Sequence, residues 1–272
     1  MPASQTITAS DLIRESLGQI VQNRRQLLPI MGLIWLLQVP SFFSEEVFLP
    51  HDAMALMGLP PGWASIIPAI IVMLAVYIGT AWSAVGWHRL RLLGEQPARV
   101  LPHWHARPVL TYFWVSIFLP LLTWGLPALL IVPVVVLLQA LNAPMAVTVI
   151  AAIPAVIAAI WLSLRLSPVQ VGRAVQDPIG LAAAYARTAH MSRPLFIVAL
   201  LGGLFLGGII GASVLPAYLL TDPEGYYISH TALFLDGTFF GAMFFVFFLV
   251  TISMFNTIYR HMTPARDMTP TD

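Results

Sequence analysis

The sequence predicts an all-α polytopic membrane protein with six transmembrane helices, both termini inside (N-in/C-in), and an N-terminal amphipathic interfacial helix. Of the 272 residues, 58% are hydrophobic and only 9% are charged, whereas soluble domains average about 45–50% apolar and about 25% charged residues. The apolar residues come in runs close to or above the roughly 20 residues that cross the hydrocarbon core. These two observations exclude a water-soluble globular domain.

The segment that precedes the first apolar run, residues 8–26, has the pattern of an amphipathic helix. Its apolar residues recur at helical spacing: Ile13, Leu17, Ile20 and Val21. Thr8 or Ser10 can serve as the N-cap. We therefore expect a helix on the membrane surface that leads into the first span. An ordinary polar extension of that span is the alternative.

Six apolar segments follow. They are Leu27–Phe43, Trp63–Trp87, Val109–Leu141, Met145–Leu164, Leu195–Leu220 and Leu233–Ile258. The third contains three prolines, which predict a kinked or strongly tilted helix because each proline removes a backbone hydrogen bond. Only Asn142, Ala143 and Pro144 separate the third and fourth segments, so these two spans are predicted to be antiparallel neighbours.

The arginines predict the orientation of the spans, because cytoplasmic loops are enriched in basic residues. All 13 basic residues are arginine, and with six spans all of them fall on one side, together with both termini. The opposite side carries acidic residues and no basic one. The prediction is a single integral membrane domain, 1–272: a cytoplasmic-side amphipathic segment (1–26), a six-helix bundle (27–258) and a cytoplasmic tail (259–272).

Small residues recur at every fourth position in the last two spans. They are Gly203, Gly207 and Gly211 in the fifth span, and Gly237 and Gly241 in the sixth. This spacing lets helix backbones approach closely in lipid. The sequence predicts a contact face, either against another helix of this chain or against a partner subunit.

Polar residues at the inner ends of spans two and four form a second candidate site. A cluster of His88, Arg89, Glu95 and Arg165 would join these spans at the inner face. The alternative is that the arginines contact lipid headgroups as ordinary span ends, while Gly94 terminates the helix.

The chain offers little for catalysis or cofactor binding. It contains no cysteine, which excludes disulfides and thiolate chemistry, and it has no lysine for Schiff-base chemistry. The pair His103 and His105, with His88, is a weak metal pattern because no carboxylate spacing accompanies it. No nucleophile elbow, HExxH or phosphate-binding loop is present. We expect no enzymatic activity, no cofactor, no metal and no nucleic-acid partner.

Two short motifs carry a resemblance to a known family. The first, Trp87-His88-Arg89-Leu90-Arg91-Leu92-Leu93-Gly94-Glu95, closes span two, and Leu164-Arg165-Leu166-Ser167-Pro168 closes span four. With a polar helix before span five, the chain resembles uncharacterised six-helix bacterial inner-membrane proteins. These look like the membrane domain that accompanies some glycerophosphodiester phosphodiesterases. The resemblance implies that the protein lies in the bacterial cytoplasmic (inner) membrane. It also implies a protein that lacks the catalytic domain of those phosphodiesterases.

Two functions remain open on this evidence. The first is a non-catalytic accessory or scaffold subunit of a membrane complex, whose partners are membrane lipids and other membrane protein subunits. The alternative is a small transporter, channel or lipid-handling permease for an apolar or lipid-like substrate, which needs no charge at the bilayer midplane.

Overall fold

The computed structural model describes residues 7–41, 63–97, 101–220 and 230–262, and within these ranges it contains helices and no strand. The elements are α1 (Ala9–Gln22), α2 (Arg24–Ser41), α3 (Trp63–Leu93), α4 (Ala106–Ala140), α5 (Met145–Ala174), α6 (Leu181–Arg187), a 3₁₀ turn (Ala189–Met191), α7 (Ser192–Leu220) and α8 (His230–Met262). Each predicted apolar segment overlaps one long helix. The polar helix expected before span five is α6 with the 3₁₀ turn.

The membrane character of the chain is confirmed. In the described ranges, four helical stretches are long and apolar enough to cross a membrane. They are Ala106–Ala140, Ile150–Ala174, Ala189–Gly208 and Gly241–Met262. All regular secondary structure in the described ranges is therefore helical, and the chain belongs to the transmembrane class.

The hairpin of α4 and α5 is the most extensive helix contact and confirms the predicted antiparallel pair. Asn142 adopts a φ of 53°, and the Ala143 N–H donates to the Leu138 carbonyl at 2.9 Å, which closes α4 as a left-handed cap. Side-chain hydrogen bonds also join the two helices, from Ser163 to Thr123 at 2.9 Å. The third predicted span is one continuous helix that contains all three prolines.

The buried core lies at one end of the bundle, which we call the packed end. It is formed by the buried faces of residues 81–90 of α3, 109–119 of α4, 159–174 of α5, 195–199 of α7 and 249–262 of α8, together with Leu12 of α1 and Ile30 and Met31 of α2. Because α3, α5 and α8 contribute their last halves while α4 and α7 contribute their first, successive helices alternate in direction. Arg89, Arg107, Arg165 and Arg260 consequently lie toward the same end.

The other half of the α4–α5 hairpin is apolar and exposed. Leu129 is 73% exposed, Leu130 78% and Ile150 64%. Exposed apolar surface on this scale is unfavourable in water but not in hydrocarbon. The hairpin therefore has the surface that a lipid-facing element requires.

Helix α1 begins at Ala9, and Thr8, one of the two predicted N-cap residues, caps it. The Asp11 N–H donates to the Thr8 hydroxyl at 3.2 Å, and the Thr8 N–H donates to the Asp11 carboxylate at 3.0 Å, so the two residues form a capping box. The fully buried residues are Leu12, Ser16 and Gln19, whereas Ile13 and Ile20 of the apolar stripe are partly buried against the core and Leu17 and Val21 are exposed.

Candidate functional site

The predicted glycine face divides into two parts. A Cβ built on Gly203 would lie 3.7 Å from Ile157 and Ile160 of α5, an ordinary packing distance inside the chain. A Cβ on Gly207 or Gly208 would meet none of the described residues within 4 Å. The first part of the face therefore packs against α5, and the next turn of α7 is open.

The remaining glycines of that face give less information. Gly241 is buried on α8. Gly211 lies on α7 and Gly237 on α8, but their surroundings fall outside the described part of the chain.

Arg89 and Glu95, two members of the predicted polar cluster, are joined directly. Arg89 Nε lies 2.7 Å from Glu95 Oε2, and Arg89 Nη1 donates to the Ala174 carbonyl at the end of α5 at 3.3 Å. The turn is made by Gly94, at φ 71°, which ends α3 as predicted. A cation beside the free carbonyls of a helix C-terminus is favourable, so Arg89 ties the ends of α3 and α5 together.

A histidine absent from the predicted cluster also contacts Glu95. His105 Nε2 lies 2.5 Å from Glu95 Oε1. Burial alone would raise the pKa of Glu95, but the hydrogen bonds from His105 and Arg89 outweigh it and hold that pKa below its usual range.

Arg165 is buried in a different place. Its Nη2 donates to the Tyr185 carbonyl at 2.5 Å and its Nε to the Thr188 hydroxyl at 3.4 Å. Its guanidinium carbon also lies 3.5 Å from the ring centroid of Tyr185 and 5.2 Å from that of Trp161. Arg165 therefore connects α5 to α6. Of the four residues predicted to form one cluster, Arg165 contacts α6, whereas Arg89 and Glu95 contact each other.

His88 is fully buried and joins three helices. Its Nδ1 lies 2.6 Å from Asn256 Oδ1 on α8, and its Nε2 lies 3.2 Å from the Tyr112 hydroxyl on α4. Because a carboxamide oxygen can only accept, Nδ1 donates the proton and Nε2 accepts from the hydroxyl. The ring is thus held in one orientation.

Further polar contacts to α8 extend this arrangement into a buried polar layer. Trp87 Nε1 donates to the Ser253 hydroxyl at 3.1 Å, and Gln19 Nε2 donates to the Thr257 hydroxyl at 2.8 Å. Ser16 Oγ also lies 3.0 Å from the Thr257 hydroxyl. The layer fixes α1 and α3 on the same stretch of α8.

Sequence reasoning missed the α8 members of this layer. Ser253, Asn256 and Thr257 recur at helical spacing inside an otherwise apolar segment. That stripe was the available signal, because polar residues in a span are costly unless they face partners inside the bundle.

An ion pair at the edge of the layer holds the middle of α1 to the last turn of α8. Glu15 lies 3.0 Å from Arg260 Nη1 and 2.8 Å from His261 Nε2. The hydrogen bond from His261 lowers the pKa of Glu15 below its usual range. Among the described residues, no three histidine or acidic side chains converge as a metal site would require.

No protein family, curated protein or solved structure matches this chain. The class of the protein, a helical transmembrane protein, therefore rests on its own residues, namely the four long apolar helical stretches in the described ranges.

Proposed function

We propose that this chain is a non-catalytic integral membrane protein that serves as an accessory or scaffold subunit of a membrane complex. The observation that carries the proposal is the open turn of α7 at Gly207 and Gly208, next to a turn where Gly203 is packed. In lipid, helices associate where small residues allow close approach. The open surface at Gly207 and Gly208 continues the surface at Gly203 that already packs against α5. A helix of another protein could therefore pack against it in the same way.

The packed end supports this role because it is rigidly connected. Hydrogen bonds and ion pairs link α1, α3, α4, α5 and α8 there. A firmly held end can keep the exposed halves of α4, α5 and α7 in a fixed arrangement. A scaffold needs such pre-organisation, since an already ordered surface costs less to bind.

We further propose six spans with both termini in the cytoplasm of a bacterial inner membrane. The support is the shared position of Arg89, Arg107, Arg165 and Arg260 toward the packed end, in keeping with the enrichment of basic residues in cytoplasmic loops. Because the chain has no cysteine, single cysteines report sidedness without background. Cysteines at Arg14 and Arg193 should react with a membrane-impermeant maleimide only after the cells are opened.

Helix α1 is proposed to lie at the cytoplasmic interface. Its polar contacts to α8 leave Leu17 44% exposed and Val21 66% exposed, and an interfacial helix buries such residues among the lipid headgroups. The resemblance to the membrane domain that accompanies some phosphodiesterases remains part of this proposal.

The experiment that tests the scaffold proposal is photo-cross-linking in living cells. A photoreactive amino acid is placed at Gly207 or Gly208, and at Leu130 as a matched lipid-facing control. Positions 207 and 208 should cross-link to one defined membrane protein, while position 130 should give lipid adducts only. Equal labelling at all three positions would contradict a partner-specific face and favour the transporter or lipid-handling alternative.

A further inference from the structure

A groove opens beside the packed end, between α4, the last turns of α5 and the loop that leads to α6. Its volume is about 260 Å³, slightly below the range of about 300–1,000 Å³ typical of ligand pockets. The apolar side chains along it include Trp114, Phe118, Leu122, Val169, Ile179 and Leu181, and Gly180 lies at its edge. A groove of this volume can hold part of an elongated ligand, such as a section of one hydrocarbon chain.

Arg173 is the charged residue in the wall of the groove. Its Nε is buried and has no hydrogen-bond acceptor, and no ion pair joins it to any residue in the described ranges. A buried N–H without an acceptor costs free energy because it has lost its water. The partly exposed guanidinium of Arg173 therefore gives the groove a positive charge that no carboxylate in the described ranges neutralises, and an anionic headgroup would balance it.

The polarity of the groove changes along its length. Arg173 lies in the last turn of α5, at the packed end, while the apolar wall continues along α4 from Trp114 to Leu122 over about 12 Å. Trp114 and Phe118 are 55% and 62% exposed, so the groove is open at its side. The groove thus has a cation at one end and an apolar wall beyond it. A phospholipid has the complementary order of groups, with an anionic phosphate followed by hydrocarbon chains.

We propose that this groove binds one anionic phospholipid, with the headgroup phosphate on Arg173 and part of one acyl chain along α4. The apolar walls favour a lipid over a free anion, which would find no further polar partner among the side chains along the groove. The positive charge of Arg173 favours a headgroup with net negative charge. The inference is independent of the proposed partner at α7 and requires only that the chain resides in a membrane.

The test is native mass spectrometry of delipidated protein titrated with phosphatidylglycerol or with phosphatidylcholine of identical chains. One phosphatidylglycerol should bind preferentially, and Arg173→Gln should weaken it about tenfold, the effect of losing one hydrogen bond to a charged group. Arg193→Gln is the matched control, because Arg193 is exposed on α7 and does not line the groove. That control should bind like the wild type.

A second variant tests the groove without changing charge. A Cβ at Gly180 meets nothing within 4 Å and its φ is −76°, so Gly180→Leu fills the edge of the groove without backbone strain. It should reduce lipid binding, while Gly125→Leu, at an equally open glycine outside the groove, should not. Equal binding of both lipids, equal losses in the two arginine variants, or displacement of the lipid by millimolar glycerol phosphate would each overturn the proposal.

Discussion

Nδ1 of His88 lies 2.6 Å from Oδ1 of Asn256, across the contact between α3 and α8. Both residues are fully buried, and they are 168 positions apart in the chain. The pair holds the histidine ring so that Nε2 faces the Tyr112 hydroxyl. One buried side chain, His88, thus couples three helices, and the strength of its contact with Asn256 can be measured.

Asn256→Leu should lower the free energy of unfolding by about 1–3 kcal/mol, because it leaves the His88 N–H buried without an acceptor. Replacing both residues, as His88→Leu with Asn256→Leu, should cost less than the sum of the two single changes, since both polar groups then leave together. Unfolding in mixed micelles measures all three variants. Additivity within about 0.5 kcal/mol would indicate that the two side chains do not interact.

Glycine substitutions should separate crowded from open positions. A Cβ at Gly86 would lie 2.6 Å from Pro102 Cβ, and one at Gly172 would collide with the Asp177 carbonyl oxygen. Gly86→Ala and Gly172→Ala should therefore each destabilise the protein by about 1–3 kcal/mol, the usual cost of overpacking. Thermal unfolding in detergent measures the change.

The matched control for these two variants is Gly207→Ala, where a Cβ meets nothing within 4 Å. Its stability should stay within about 0.5 kcal/mol of the wild type. A loss at position 207 as large as that at position 172 would contradict the described packing of α7.

Arg165 should control the stability of α6. Arg165→Lys keeps the charge but removes the planar guanidinium that lies on the Tyr185 ring and donates to the Tyr185 carbonyl. Amide hydrogen exchange over 181–187 should become about tenfold faster, which corresponds to one lost hydrogen bond. The exposed Arg193→Lys variant serves as the control, and unchanged exchange in Arg165→Lys would refute this role.

The ion pair at Glu95 should give stability that depends on pH. The folded protein holds the pKa of Glu95 below the ordinary value of 4.5, so its stabilising contribution is present above pH 4.5 and is lost as the pH falls through the folded pKa. The melting temperature of the wild type should exceed that of Glu95→Gln at pH 6. This difference should shrink as the pH drops below about 4.5.

Comparing the two proteins at each pH cancels the titration of groups they share, including the Glu15 carboxyl. A difference that stays constant or grows toward acidic pH would mean that Glu95 is not stabilised as a carboxylate.

The features that sequence predicted well depend on local chemistry. The long helices follow from uninterrupted apolar runs, the start of α1 from Thr8, the end of α3 from Gly94, and the α4–α5 hairpin from Asn142. Each requires only residues a few positions apart. Such patterns have physical causes that act within one helical turn or one tight turn.

The features that sequence did not predict depend on which helix faces which. Nothing near Arg165 in the chain indicates that it reaches Tyr185 and not Arg89 or Glu95. Likewise, the apolar stripe of α1 predicted a helix on the membrane surface, but it gave no indication that Ser16 and Gln19 would dock this helix on α8 through Thr257. Helix rotation is set by partners distant in sequence, and hydropathy does not encode those partners.

The most direct test of the proposed function is native mass spectrometry of the protein extracted gently in its own lipids. The wild type should migrate with one other membrane protein in fixed stoichiometry, and that partner should be lost in the double variant Gly207→Leu with Gly208→Leu but kept in Gly125→Leu. A monomer or homo-oligomer that carries only a lipid or a small molecule, unchanged by the double variant, would contradict the accessory-subunit account.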